Sequence, residues 1–501
     1  MGAERARALA ASPSERCPGG EPGDRRRPRS DVGGRSPALR GARGGRRGLL
    51  RQRPLALADG DGRRRGAARG RCVSGPTGFL GLSHLGIVSS IGWASFGEAV
   101  VAVDLDRGPV DRLGRGELPV HEPALDALFA RVRGSMTFST DPAALGACPL
   151  VIVARDVPTD AANTSDPAVV LEAIDAALPH LRQDVTLAVM SQVPPGFTRR
   201  LAARIRARRP ELRFQLYYWI ETLIFGNAVE RYLRPERLML GCADPTAPLA
   251  PLLDAGLRRF GCPIFPMRYE SAELTKTAIN LYLCAAVTYA NTLADLCEAV
   301  GANWQEMEPA LRLDKRIGSA AYIRPGLGIA GGNLERDMIS LRDLCRASAV
   351  DGAFIETMVD YNVRRHWWVH RKLEEHVFPT TPSPTIAVWG LAYKKNTRST
   401  KNSMSLRVIG ELTGRADVRA WDPVVGASDV SVPAKIVAHR DEALAAADCL
   451  LILTDWDEFA VPRPEALRTM RRPLIIDCVG VVDAGRADLT DVRYLTMGRP
   501  A

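Results

Sequence analysis

The stretch Gly81-Leu-Ser-His-Leu-Gly86, followed after a helical segment by Ala99-Val-Val-Ala-Val-Asp104, decides the fold of the first half of this chain. Residues 86 to about 96 are helix-like, and residues 99–104 predict a short buried strand that ends in a carboxylate. A glycine turn that opens a helix presents free backbone amides to a pyrophosphate. Asp104 lies where an acid hydrogen-bonds ribose hydroxyls. This favours NAD over NADP, because a 2′-phosphate would meet a negative charge.

Two features of this start depart from the usual dinucleotide-binding pattern. Ser83 stands where the middle glycine is expected, so a side chain adds bulk where backbone should approach the pyrophosphate. The preceding strand should lie in residues 71–80, but that segment reads RCVSGPTGFL, and its two glycines and proline predict a poor strand. The next buried strand, Leu150-Val-Ile-Val-Ala154, is clear. Taken alone, the glycine pattern is equally typical of a simple strand-to-helix turn.

A second glycine-rich segment, PGLGIAGGNLERD, runs from Pro325 to Asp337. Its four closely spaced glycines argue against a helix or strand and predict a loop whose backbone approaches a ligand closely. Upstream, a run with high helix propensity extends from Glu273 to about residue 300. Lys276 and Asn280 are four residues apart in it, so they share one helix face.

Other short motifs occur in a definite order along the chain. They are Val157-Pro-Thr159, Ser191-Gln-Val-Pro-Pro-Gly196, Trp219-Ile-Glu221, Glu273-Leu-Thr-Lys-Thr-Ala-Ile-Asn280, Asp314-Lys-Arg316-Ile-Gly and Gly390-Leu-Ala-Tyr-Lys394. Each alone is typical of a strand end, a turn or a solvated charge. In this order, together with residues 325–337, they resemble the motifs of the UDP-glucose/GDP-mannose dehydrogenase family.

The resemblance implies an α/β fold with two Rossmann-like, doubly wound domains joined by a central helical domain, as in 6-phosphogluconate dehydrogenase. The alternation of strands and helices after residue 379 also predicts the second sheet. We expect four segments: a disordered leader (1–74), an NAD-binding domain (75–262), a central dimerisation domain with the active-site loop (263–378), and a UDP-sugar-binding domain (379–501).

The resemblance also implies an NAD-dependent dehydrogenase that acts on a nucleotide sugar, with a UDP-sugar as substrate and a homodimer as the assembly. The residues that match family positions fall into three groups. The catalytic group is Glu221, Lys276, Asn280, Asn333 and Asp337. The cofactor group is Gly81, Ser83, Leu85, Gly86, Asp104, Pro158, Thr159, Gln192 and Lys401. The substrate group is Arg316, Gly328 and Lys394, of which Arg316 would reach the site of the partner subunit.

Besides Ser83, four positions depart from the family pattern. Asn333 stands at the position of the nucleophilic cysteine, and its amide can only donate or accept hydrogen bonds. Gln192 replaces a threonine and Phe225 a second acid, while Lys401 replaces an arginine that contacts the cofactor. The alcohol-oxidising residues remain, so we expect a two-electron oxidation with little or no acid formed. The alternative is a catalytically silent nucleotide-sugar-binding homologue.

The composition limits the other classes of function. Residues 1–72 hold 19 Arg and 7 acidic residues, a net charge of +12, so the remainder of the chain carries −2. This leader could be a nucleic-acid-binding arm, a transit peptide, or upstream sequence without function; composition favours the last, and no nucleic-acid partner is expected. Ten scattered cysteines without a C-x-x-C pair predict a cytoplasmic protein without a metal site. No apolar run predicts a membrane span.

Overall fold

The computed structural model describes residues 75–160 and 165–500. The Arg-rich leader, and with it every prediction on residues 1–74, lies outside the described residues. The described chain contains two mainly parallel sheets, and a helical region lies between them in sequence. In the described part of the chain, no helix combines the length and apolarity that crossing a bilayer requires.

The first sheet has eight strands in the order β3-β2-β1-β4-β5-β6-β7-β8, and all neighbours are parallel except β6 and β7. Its strands are β1 (Thr77–Leu80), β2 (Val100–Val103), β3 (Met136–Ser139), β4 (Leu150–Val153), β5 (Val185–Val189), β6 (Phe214–Trp219), β7 (Leu238–Cys242) and β8 (Ile264–Arg268). Its helices are α1 (His84–Ala94), α2 (Arg107–Arg115), α3 (Leu125–Val132), α4 (Ala168–Ala177), α5 (Phe197–Arg208), α6 (Ala228–Leu233) and α7 (Pro251–Arg258). The strand order reverses between β1 and β4, where open parallel sheets bind ligands.

The weak strand expected within residues 71–80 is a regular central strand, so that expectation was wrong. All four residues of β1 are buried, and β1 pairs with β2 and β4. Gly78 is useful here, because a Cβ at this position would lie 2.8 Å from Leu145 Cδ2. Low strand propensity is outweighed by tight packing between two neighbouring strands.

The sheet also extends past residue 262, where the sequence places the end of the first domain. β8 pairs in parallel with β7 over five residues. β8 joins the sheet because its backbone pairs with the exposed edge of β7, and the apolar pattern of residues 264–268 did not indicate this.

Five helices lie between the two sheets in sequence: α8 (Tyr269–Val300), α9 (Trp304–Leu313), α10 (Asn333–Ala347), α11 (Ala353–Arg364) and α12 (Trp367–His376). The glycine-rich segment is irregular up to Gly332, as predicted. However, α10 begins at Asn333, so Asn333 and Asp337 lie one turn apart on a helix and not in the loop. The helix fixes their relative direction.

The second sheet is entirely parallel, with six strands in the order β11-β10-β9-β12-β13-β14. The strands are β9 (Thr385–Trp389), β10 (Asp417–Trp421), β11 (Lys435–Ile436), β12 (Cys449–Ile452), β13 (Leu474–Asp477) and β14 (Arg493–Thr496). The helices are α13 (Met404–Glu411), α14 (Arg440–Leu444) and α15 (Pro464–Leu467). The central strands β9 and β12 are buried along their whole length, which is typical of parallel sheets covered on both faces. The predicted fold class is confirmed.

Candidate active site

The turn between β1 and α1 forms a tight glycine cradle at the carboxyl edge of the first sheet. Gly81 has φ +103°, a conformation that glycine adopts without strain. A Cβ on Gly86 would overlap the carbonyl oxygen of Gly81, so the helix can approach the strand this closely only with glycine there. The Ser83 hydroxyl accepts a hydrogen bond from the backbone N–H of Asp156 at 2.8 Å. The extra bulk of Ser83 is therefore directed to the end of β4.

An anionic group already lies at the amino end of α1. The backbone N–H of Leu85 donates to Asp156 Oδ2 at 3.1 Å. The first amides of a helix attract negative charge, and this contact shows that the amide is available to an anion. Asp156 was missed by the sequence analysis, although it directly precedes the Val157-Pro-Thr turn.

Asp104 ends β2 as predicted, but its carboxylate is engaged by the protein itself. It is buried, accepts from the Leu82 backbone N–H, and forms an ion pair with Arg155 Nη1 at 3.0 Å. Arg155 is 51 residues away in sequence, so no local pattern pointed to it. A ribose at this edge would have to share Asp104 with that guanidinium.

A cavity of about 260 Å³ opens beside this turn. Its lining residues include six of the predicted site residues, namely Leu85, Pro158, Thr159, Gln192, Glu221 and Asn333. Asn333 is exposed to solvent, as a residue that meets a ligand must be. His84 and Phe225 lie against each other in the wall, with ring centroids 4.3 Å apart. The His84 ring is oriented by Glu122, whose carboxylate lies 2.9 Å from Nε2.

Asp337 is the centre of a buried hydrogen-bond network below this cavity. Its two carboxylate oxygens accept from Gln192 Nε2 at 2.6 Å and from Asn280 Nδ2 at 2.5 Å. Arg336 Nε donates to it at 3.1 Å, and Nη2 of the same guanidinium donates to the side-chain oxygen Oε1 of Gln192. Arg336 is buried, so this charge requires its partner. Arg336 was not predicted from the sequence.

Lys276 and Glu221 form a second polar unit. Lys276 Nζ lies 2.7 Å from Glu221 Oε1 and also donates to the backbone carbonyl of Glu221 at 2.9 Å. Burial opposes ionisation of Glu221, but the charge and hydrogen bond of Lys276 outweigh it, so the pKa of Glu221 lies below its usual value. Glu273, on the same helix, is instead structural: it is buried and accepts from the backbone N–H groups of Gly196 and Thr198.

The remaining predicted residues lie at different distances from this cavity. Lys401, between β9 and α13, does not line the cavity, but its Nζ lies 3.1 Å from the carbonyl oxygen of Asp160, the residue after Thr159. Lys394 Nζ donates to the carbonyl of Phe225 at 3.2 Å, and burial lowers its pKa. Gly328 (φ +99°) packs against Asn362, while Arg316 is exposed and paired with Asp314 at 2.6 Å.

Three family models match consecutive parts of the chain. They describe the NAD binding domain (residues 77–251), the central domain (270–364) and the UDP binding domain (387–484) of one family. The chain belongs to the UDP-glucose/GDP-mannose dehydrogenase family.

Relatives within this family match over nearly their whole length. The UDP-glucose 6-dehydrogenase of Rhizobium meliloti is 29% identical over 433 residues, which cover 84% of this chain and 99% of the relative. UDP-glucose 6-dehydrogenase TuaD of Bacillus subtilis is 28% identical over 432 residues, covering 84% and 93%. A UDP-glucose dehydrogenase structure from Pyrobaculum islandicum superposes with a TM-score of 0.75 at 25% identity, covering 86% of this chain and 99% of that one.

Membership of the UDP-glucose/GDP-mannose dehydrogenase family implies NAD as the cofactor, and the residues present fit it. The cradle at Gly81 and Gly86 leaves no room for a Cβ, as close approach of a pyrophosphate requires. The backbone N–H of Leu85 donates to an anionic group, here the Asp156 carboxylate. Gly81, Ser83, Leu85 and Gly86 would hold the pyrophosphate.

Asn333 stands at the position expected for a nucleophilic cysteine, so any thiol chemistry would need another cysteine near the cavity. Among the described residues, no cysteine lines the cavity. Cys284, one turn beyond Asn280, is fully buried, and burial raises the pKa of its thiol to about 12. A thiol that remains protonated is a poor nucleophile. Cys284 is therefore a packed residue.

Glu335 is a further ionisable group that the sequence analysis did not identify. It lies between Asn333 and Asp337, and it accepts hydrogen bonds from the side chains of Asn362 and Asn402. Burial raises the pKa of its carboxyl to about 7.

Proposed function

We propose that this chain is an NAD-dependent, UDP-glucose 6-dehydrogenase-like enzyme that oxidises a primary alcohol of a nucleotide sugar and stops at the aldehyde. The observation that carries this proposal is the cavity in which Glu221, Gln192 and Asn333 meet without a described cysteine. A UDP-sugar is the substrate class that the UDP binding domain supports. UDP-glucose is the default member of that class.

The Lys276–Glu221 pair provides the polar groups that alcohol oxidation needs. The alcohol loses a C–H bond and an O–H bond. The hydride acceptor would be supplied by bound NAD. The O–H proton passes to the Glu221 carboxylate, which is ionised, while the Lys276 ammonium donates to the developing alkoxide. Both groups are already in contact, so little reorganisation is needed.

The Asp337 network has a positioning role in this proposal. Asp337 and Asn280 bond to each other, which orients the first turn of α10 and thus Asn333. Gln192 is held from both ends, by Asp337 and Arg336. Conversion of aldehyde to acid through a thioester requires a sulfur nucleophile. Neither Asn333 nor Gln192 provides one, because amides only exchange hydrogen bonds.

We further propose a cytoplasmic homodimer. α8 exposes several large apolar side chains in a single chain, which a partner subunit could cover. They are Leu274, Tyr282, Tyr289, Leu296 and Val300. Arg316 is exposed and does not line the cavity of its own chain, which is compatible with a role in a partner's site.

A panel of UDP-sugars with NAD tests this function. We expect NADH formation with at least one UDP-sugar, and an aldehyde product whose mass is recovered as an oxime after hydroxylamine is added. Asn333→Cys is the informative variant, because it supplies the missing thiol, and Asn333→Ser is its matched control without sulfur. A wild-type enzyme that yields uronic acid would refute the proposal.

The second candidate is a catalytically silent nucleotide-sugar-binding homologue. It is favoured by the contacts that already occupy the groups expected to bind NAD. Asp104 is paired with Arg155, and the Leu85 amide is bonded to Asp156, so NAD must displace or share both contacts. Binding of a UDP-sugar without NAD binding in calorimetry would support this candidate. Turnover with any UDP-sugar would exclude it.

A further inference from the structure

Two histidines and a glutamate meet at the junction between the helical region and the second sheet domain. His366 directly precedes α12, His370 lies one turn further on, and Glu411 is the last residue of α13. Glu411 Oε1 lies 3.1 Å from His366 Nε2, and its Oε2 lies 2.7 Å from His370 Nε2. The cluster is separate from the cavity described above.

The His366 ring is the unusual member of this cluster. Its side chain is only 1% exposed, yet within the described chain its Nε2 has no hydrogen bond of acceptable geometry. The nearby Glu411 oxygen approaches it without forming one. Buried polar atoms in native structures are nearly always satisfied, so an orphan of this kind requires an explanation. It is directed towards a carboxylate and a second imidazole.

These three side chains are ligands of the zinc type. Two imidazoles four residues apart on one helix face, with a carboxylate from another element, make a three-ligand set that leaves a position for water. Imidazole nitrogen suits zinc, copper, iron and nickel, and not magnesium or calcium. One donor atom from each residue lies within 4.8 Å of the others. Ligand atoms around one tetrahedral zinc ion lie about 3.4 Å apart, so closure needs shifts of up to about 1.5 Å.

Arg407 is the one cation that competes in direct contact with this carboxylate among the described residues. Its Nε lies 3.3 Å from Glu411 Oε1, one helical turn away on α13. Its side chain is 41% exposed, so it can turn towards solvent when a metal ion takes the carboxylate. Glu411 is also 37% exposed, which gives an ion a path from solution to the two imidazoles.

We propose that His366, His370 and Glu411 bind one divalent ion of the zinc type, completed by water, which ties α12 to α13. The site is structural, because it lies away from the cavity and joins two elements. α13 starts at Met404, two residues after Asn402, whose side chain donates hydrogen bonds to Glu335 and Gly331 at the active-site loop. An ion at the far end of α13 therefore stabilises the junction that supports this loop.

The test uses the full chain without a histidine tag, stripped with a chelator and titrated with Zn²⁺ by calorimetry. Co²⁺ serves as a spectroscopic probe, because tetrahedral sites give intense visible bands. We expect one Zn²⁺ per chain, a visible Co²⁺ band, and a thermal midpoint that rises with Zn²⁺. Glu411→Gln, which keeps the side-chain shape, and His370→Ala should each weaken Zn²⁺ affinity by at least tenfold.

His376→Ala is the matched control, because this histidine lies on the same helix and its one ion pair among the described residues is with Glu375, at 3.7 Å. Its Zn²⁺ affinity should equal that of the wild type. The proposal is overturned if the wild type shows neither Zn²⁺ binding nor a Co²⁺ band. It is also overturned if Glu411→Gln and His370→Ala both bind Zn²⁺ as tightly as the wild type.

Discussion

Asp156→Asn should tighten NAD binding. Asp156 Oδ2 accepts a hydrogen bond from the Leu85 backbone N–H at 3.1 Å, at the place where the cofactor pyrophosphate would approach α1. A pyrophosphate that enters this site brings negative charge next to the carboxylate. Asparagine keeps an oxygen that can accept from the same amide, so the local structure should persist, while the repulsion disappears.

The magnitude follows from Coulomb's law. Two unit charges about 5 Å apart repel by about 2 to 3 kcal/mol at an effective dielectric constant of 20 to 40. Asp156 is exposed, so solvent and salt reduce this to about 1 kcal/mol. We therefore expect an approximately fivefold lower Kd for NAD. The advantage should shrink at high salt.

Calorimetric titration of NAD into both proteins, at low and high salt, measures this effect. Asp351→Asn is the control, because Asp351 likewise accepts from a helical amide, that of Ala353 at 2.9 Å, but does not line the cavity. Its NAD affinity should not change. Equal or weaker NAD binding by Asp156→Asn would refute the assignment of this amide to the pyrophosphate.

Three further predictions concern the polar groups around Asn333. Burial raises the pKa of Glu335 to about 7 in the folded chain, against an ordinary 4.5. Between these two pH values the folded state keeps a proton that the unfolded state releases. The contribution of Glu335 to the free energy of unfolding therefore falls as pH rises through this window, and it is constant above it. Urea midpoints of Glu335→Gln relative to the wild type should therefore increase from pH 4.5 to 7, and a difference independent of pH would contradict the burial of this carboxyl. Lys276→Ala should lower kcat by about 100-fold or more without changing the Kd for NAD, and an unaltered kcat in stopped assays would remove Lys276 from the chemistry. Asp337→Leu leaves the buried Arg336 without its carboxylate, so the free energy of unfolding should fall by about 3 kcal/mol, and a loss below about 0.5 kcal/mol in urea titrations would show that the network is not coupled.

Much of the fold could be predicted because its strands are locally recognisable. β4 is apolar at every position, as a strand with both faces covered must be, and it was expected at Leu150–Ala154. β1 was underestimated, because its stability comes from β2 and β4 on either side and not from its own residues. The start of α10 at Asn333 was also missed, since glycine spacing indicates where a helix is absent and not where the next one begins.

Most residues of the candidate site could be predicted from the sequence, but the contacts between them could not. Lys276 and Asn280 share a helix face, yet their partners come from distant elements: Lys276 binds Glu221, and Asn280 binds Asp337. The pairing of Asp104 with Arg155 also depends on two strand ends that become neighbours only in the sheet. Such contacts are set by tertiary packing, which one sequence without its fold does not specify.

The ratio of NADH formed to nucleotide sugar consumed tests the central claim most directly. The reaction should be run to completion with excess NAD, and the product should be identified by mass. A cavity with Asn333 in place of a thiol predicts one NADH per sugar and an aldehyde. Two NADH per sugar, together with a uronic acid, would contradict it.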